Sequence, residues 1–173
     1  VWLAIGATAV GLLLGYLLKA QCAAHPWVDK FEYRRLCYND IQPLFHVRGV
    51  SEGLLPYRDV VLEYPVLTGT FMYVAGRLLS AAAETGTVRN NDPNYFHLTA
   101  LLLAPFGLVV SLKLRPFVTR SRMILWAVGP PVILYSFHNW DLLAVAGGVW
   151  GLVELERRRL GGSGAALGLG ASA

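Results

Sequence analysis

The residues able to do chemistry fall in two stretches, Asp40 through Arg48, Arg58, Asp59, Glu63 and Tyr64, and then His138-Asn139-Trp140-Asp141. Asn39 or Asp40 can cap a short helix with Pro43 in its first turn and Gly49 just past its end. Backbone N–H groups and the helix dipole at such a start favour the ionised form of Asp40. Facing a polar cavity, that carboxylate can serve as general base on a hydroxyl. A plain N-cap is the competing role for the same side chain. Asp59 and Glu63, four residues apart, share a helical face or close onto Arg58. Two carboxylates without a third ligand make a poor cation site, so salt bridges at a loop–helix junction fit better. Arg34, Arg35, Arg48 and Arg58 lie near apolar sequence, where a guanidinium fork suits a lipid phosphate as well as it suits snorkelling. His138, Asn139 and Asp141 interrupt apolar sequence, which marks either a cavity or a simple polar hairpin. The histidines show no metal-ligand spacing, and neither a Gly-rich phosphate loop nor a nucleophile elbow is present. No metal and no cofactor are expected.

The rest of the chain has to hold those groups in place, and it is mostly apolar. Of 173 residues, 55% are hydrophobic and 15% charged, with mean hydropathy +0.47. The apolar residues come in blocks about as long as a bilayer core requires, so an integral membrane protein is expected over a soluble helical bundle. The formal charge of +4 is modest. Its basic residues sit at the ends of apolar blocks and are not interleaved with aromatics, so no nucleic-acid partner is expected. Cys22 and Cys37 both lie in the polar loop; they can form one disulfide if that loop is outside the cell, and two unpaired thiols are at least as well supported.

The expected fold is all-α: a polytopic transmembrane helical bundle forming one domain over residues 1–173, with a polar loop over 19–63 holding the site. The apolar blocks are Val1–Leu18, Tyr64–Ala83, Tyr95–Leu112, Met123–Phe137 and Leu142–Val153. Gly6, Gly11 and Gly15 mark the first as a tightly packed helix, and Pro105 suggests a kink in the third. In the loop, Ile41, Leu44 and Phe45 share one face while Gln42, His46 and Arg48 lie away from it. That pattern predicts a short helix in the membrane interface. The chain opens without Met and stops in Gly- and Ala-rich apolar sequence, so it reads as part of a longer protein. Orientation is in conflict. The basic stretches Lys113–Arg122 and Arg157–Arg159 both belong in the cytoplasm by charge, whereas strict alternation from an external 19–63 loop puts them on the wrong side.

Three segments carry a resemblance: Tyr38-Asn39-Asp40-Ile41-x-Pro43-Leu44, then Gly53-x-x-Pro56-Tyr57-x-Asp59, then Glu63-Tyr64-Pro65-Val66-Leu67-Thr68-Gly69. Together they resemble the first-loop pattern of actinobacterial membrane glycosyltransferases of family 87. Asn139-Trp140-Asp141-Leu142-Leu143 and Ala166-Leu167-Gly168-Leu169-Gly170-Ala171 are similar to later segments. The resemblance implies the N-terminal part of a GT-C fold in the cell membrane, with the 19–63 loop extracytoplasmic. It also implies a polyprenyl-phosphate sugar donor, mannose in character, a lipid or glycan acceptor, and an acidic base in the first loop at the position of Asp40. The substrate-binding candidates are then Arg58, Arg48, Asp59, Glu63, Tyr64, His138 and Asn139. Two other readings compete: a transporter or flippase, and a non-catalytic membrane scaffold.

Overall fold

Apolar sequence with few polar interruptions folds here into helix almost throughout. The computed structural model describes residues 1–25 and 27–173. Among them are nine α-helices and no β-strand: α1 (Trp2–Ala24), α2 (Phe31–Arg34), α3 (Ile41–Val47), α4 (Val66–Glu84), α5 (Asp92–Leu114), α6 (Arg120–Ala127), α7 (Pro130–Tyr135), α8 (Asp141–Glu156) and α9 (Leu160–Ala171). Three of them, α1, α4 and α5 with its extension to Phe117, are long and apolar enough to cross a membrane. Leucines on the outward side of α1, Leu13, Leu14 and Leu17, are exposed, as suits a helix surrounded by hydrocarbon.

The bundle closes through small residues. Gly11 brings α1 against the Ala127 carbonyl and Gly15 against that of Ile133, whereas Gly6 touches nothing. The Thr8 and Ser111 hydroxyls bond to each other between α1 and α5, both fully buried. Gly147 and Gly170 meet backbone to backbone, which lets α8 and α9 lie as a close hairpin. The fourth apolar block is not one helix. Gly129 and Pro130 divide it into α6 and α7, because Pro cannot supply the N–H that a continuous helix needs. α5 runs through Pro105 without a break in its assignment.

The loop begins later than its first charge suggests. α1 continues through Lys19 to Ala24, and Lys19 is buried. Cys22 and Cys37 form a disulfide over a separation of 15 residues, a constraint on the unfolded chain worth about 3 kcal/mol. The helix anticipated in the loop is α3, with Gly49 in the left-handed region just beyond it. Its apolar face packs on protein. Ile41 and Phe45 are fully buried, Phe45 stacks on Tyr95 of α5 at 4.3 Å, and Gln42 is buried too. The apolar face of α3 is satisfied by protein, because the disulfide and the α5 contact pull the loop down onto the bundle.

The two basic stretches share one end. Lys113 donates to Glu154 at 3.1 Å, and Arg157 and Arg159 face the same carboxylate at 3.8 and 3.6 Å. At the opposite end the Asp40 N–H donates to the His138 carbonyl at 2.7 Å. The loop also packs along α4. Tyr57 and Leu62 pack against Gly69 in its first turn, Val50 against Gly76, and Gly53 against Arg77. The loop flanks α4 along its length and does not lie beyond one of its ends.

Candidate functional site

The site is built where the end of α1, the start of α3, the start of α4 and the α7–α8 turn converge. Of the two possible caps on α3, Asn39 takes the role: its Oδ1 accepts from the Gln42 N–H at 3.0 Å, and its Nδ2 donates to Gln42 Oε1 at 2.9 Å. Asp40 makes no side-chain cap bond. Its carboxylate turns elsewhere, and two phenols hold it. Tyr38 donates to Oδ1 at 2.7 Å and Tyr64 to Oδ2 at 3.0 Å. Each carboxylate oxygen keeps accepting capacity beyond these bonds.

The phenols are themselves positioned from below. Tyr64 packs edge-on against Trp140 at 5.3 Å. Trp140 is buried, and its Nε1 finds no hydrogen-bond partner among the described residues. The backbone of Tyr64 is pinned because the Tyr57 hydroxyl contacts the carbonyls of Tyr64 and Pro65 at 2.8 and 2.6 Å. A Cβ at Gly69 would fall 2.2 Å from that hydroxyl, so only glycine lets Tyr57 reach. Lys19 donates to the carbonyls of Leu36 and Tyr38 at 3.2 and 2.7 Å and faces His138 Nδ1 at 3.5 Å. The ammonium thus satisfies the chain entering Asp40.

The charges respond to one another. The hydrogen bond to Asp40, with partial burial behind it, pushes the Tyr38 phenol up to about 12. Burial first, and then the Asp40 charge, raise Tyr64 as well. The Arg48 fork holds the Glu63 carboxyl below the usual range.

The side chains of the other anticipated site residues make no hydrogen bond to the Asp40 carboxylate among the described residues. Arg48 bonds both oxygens of Glu63 at 2.8 and 2.7 Å. Asp59 closes a turn, with Oδ2 accepting from the Leu55 N–H at 3.0 Å, so Asp59 and Glu63 form no carboxylate pair. The segment between them is not helical, which removes the shared face. Arg58 is largely exposed, its Nε 3.6 Å from Asp59. His138 reaches the site, whereas the Asn139 carboxamide accepts from the Asp141 N–H at 3.0 Å and starts α8. Among the described residues no three His, Cys, Asp or Glu side chains gather as a metal site. Sequence reasoning missed Lys19, Tyr38 and Trp140 as site residues. For Lys19 a signal existed, a lone cation followed by more helix-forming sequence.

The raised Tyr38 pKa has a definite sign. Its contribution to stability is complete below about pH 10, the phenol's ordinary value, and is lost as pH rises through about 12. Asp40→Asn removes the charge and brings Tyr38 back towards about 10, read from the ring Cζ resonance of labelled tyrosine against pH. A Tyr38 titration unmoved by Asp40→Asn would mean that the contact does not exist.

No protein-family model matches the chain, and no curated protein or solved structure matches it.

Proposed function

We propose that this chain belongs to a multi-pass membrane glycosyltransferase that moves a sugar, mannose in the first instance, from a polyprenyl phosphate to a lipid or glycan hydroxyl. The observation that carries the reading is the Asp40 carboxylate, relieved of capping by Asn39 and aimed by Tyr38 and Tyr64. A general base must be an accurately placed acceptor with capacity left for one more proton donor, and this group meets both conditions.

In the proposed reaction the acceptor hydroxyl donates to Asp40 and loses its proton to it. The oxygen attacks the anomeric carbon of the donor. The bond from that carbon to the phosphate oxygen breaks, and polyprenyl phosphate leaves with the electron pair. Arg58 is the arginine proposed for the leaving phosphate, since among the described residues its charged contact is a long 3.6 Å, whereas Arg48 is engaged by Glu63 on both oxygens. Lys19 adds a positive charge beside Tyr38, whose carbonyl it bonds. A transport path is less well supported: Lys19 is the buried cation of α1, and loop carbonyls occupy it.

The site end is proposed to be extracytoplasmic. Both basic stretches lie at the other end, as retention in the cytoplasm favours. The Cys22–Cys37 disulfide lies on the site side, as an oxidising compartment favours.

Asp40→Asn is expected to lower transfer from a polyprenyl-phosphate sugar by about 10²–10⁴-fold, the usual contribution of a general base, with membrane insertion unchanged. Turnover within about threefold of the parent, well below that contribution, would remove Asp40 from the role. Sidedness is tested separately with Glu52→Cys, an exposed loop position. A membrane-impermeant maleimide labels it in intact cells if the loop is external, whereas labelling only after lysis would place the loop inside.

A further inference from the structure

On the side of Tyr38 away from its hydroxyl bond to Asp40 lies a cavity of about 240 Å³. Its walls are aromatic and aliphatic: Tyr33, Tyr38, Tyr135 and His138, with Leu36 and Leu134. Tyr33 stacks on Tyr38 at 5.3 Å, and His138 lies 5.4 Å from Tyr38 and 5.7 Å from Tyr135. Its polar groups are few and of both kinds. Glu32 lines it and is its carboxylate. Lys19 faces Nδ1 of His138. An ammonium has no lone pair to offer, so Nδ1 is the acceptor and the proton of the neutral ring sits on Nε2. His138 is therefore a hydrogen-bond donor on its other edge.

Those features select a ligand by exclusion. An aromatic cage with one carboxylate would suit a quaternary ammonium, but Lys19 puts a positive charge in the same wall. A phosphate would meet Lys19 but also Glu32, and the Lys19 protons are directed at two carbonyls and an imidazole. A small neutral ring with C–H-rich faces and several hydroxyls meets no such conflict. Its faces lie on aromatic rings, and its hydroxyls find an acceptor in Glu32 and a donor in His138.

We propose that this cavity is a pyranose subsite, placed beside the reacting position and separated from Asp40 by the Tyr38 ring. The choice of a sugar over another neutral polyol rests on the proposed transferase reading. The ring belongs either to the acceptor glycan, next to the sugar whose hydroxyl reacts, or to the donor.

The test uses the full chain in nanodiscs, so that no glycoside detergent competes, and saturation-transfer NMR with methyl α-mannopyranoside and methyl β-glucopyranoside. Tetramethylammonium and inorganic phosphate are the charged controls. Expected is saturation transfer to a pyranoside, weakened by about tenfold in Tyr135→Ala and in Glu32→Gln, roughly one aromatic or hydrogen-bond contact. Tyr135 is 61% exposed, so its removal is not a folding change. Asp40→Asn keeps pyranoside binding, and pyranoside binding by a parent chain that shows no transfer sinks the transferase proposal alone. In transfer assays a Tyr135→Ala variant raises KM for the acceptor if the ring is the acceptor's, and for the donor if it is the donor's. Absent pyranoside binding, binding indifferent to both variants, or preferential binding of tetramethylammonium or phosphate would each overturn the subsite.

Discussion

The bond from the Gln42 N–H to the Asn39 side chain decides what the site can be. A helix start needs one side-chain acceptor, worth about 1 kcal/mol, and two adjacent residues are able to supply it. Because Asn39 does so, and is buried with its amide also occupied by Gln42 and the Cys37 carbonyl, Asp40 is left with a carboxylate that no backbone group claims. Tyr38 and Tyr64 approach it from two directions. A neutral, fully engaged amide does the structural work, and the charged neighbour remains available for chemistry.

Everything around this pair acts to hold the loop against the bundle. The disulfide joins the segment entering Asn39 to the last turns of α1, and Lys19 donates to the Leu36 and Tyr38 carbonyls on either side of Cys37. α3 is fastened to α5 by the Phe45–Tyr95 stack. On the far side, Tyr57 seated on Gly69 fixes Tyr64, and Trp140 supports the Tyr64 ring. The polar loop is therefore a packed part of the protein, and it runs beside α4.

Much of this was legible from residue order, and the failures have physical causes. Helical character followed from apolar block length. The α3 boundaries followed from Asn39, Pro43 and Gly49, although which of Asn39 and Asp40 caps was open because both side chains are equally short acceptors. What covers the apolar face of α3 was not legible in the sequence. An amphipathic face says only that something apolar covers it, and here the cover is α5. Lys19 was read as the end of a helix because charge usually stops a membrane span, but it is buried by carbonyls 17 and 19 residues away in the chain. The Asp59–Glu63 relation failed for a similar reason: spacing implies a shared face only if the segment is helical, and Asp59 closes a turn instead. Glu63-Tyr64-Pro65 with Gly69 was noticed as a pattern, but its physical meaning, a glycine making room for Tyr57, required the fold.

The division of labour between Asn39 and Asp40 is the claim on which the rest stands, and Asn39→Ala tests it most directly. With the amide gone, the nearest acceptor for the Gln42 N–H is the Asp40 carboxylate, which must leave Tyr38 to reach it. Measured by the Cζ resonance of labelled tyrosine against pH, Tyr38 is predicted to fall from about 12 towards its ordinary value. If Tyr38 in Asn39→Ala still titrates at about 12, Asp40 is held independently of the cap, and the account of how this carboxylate is set free is wrong.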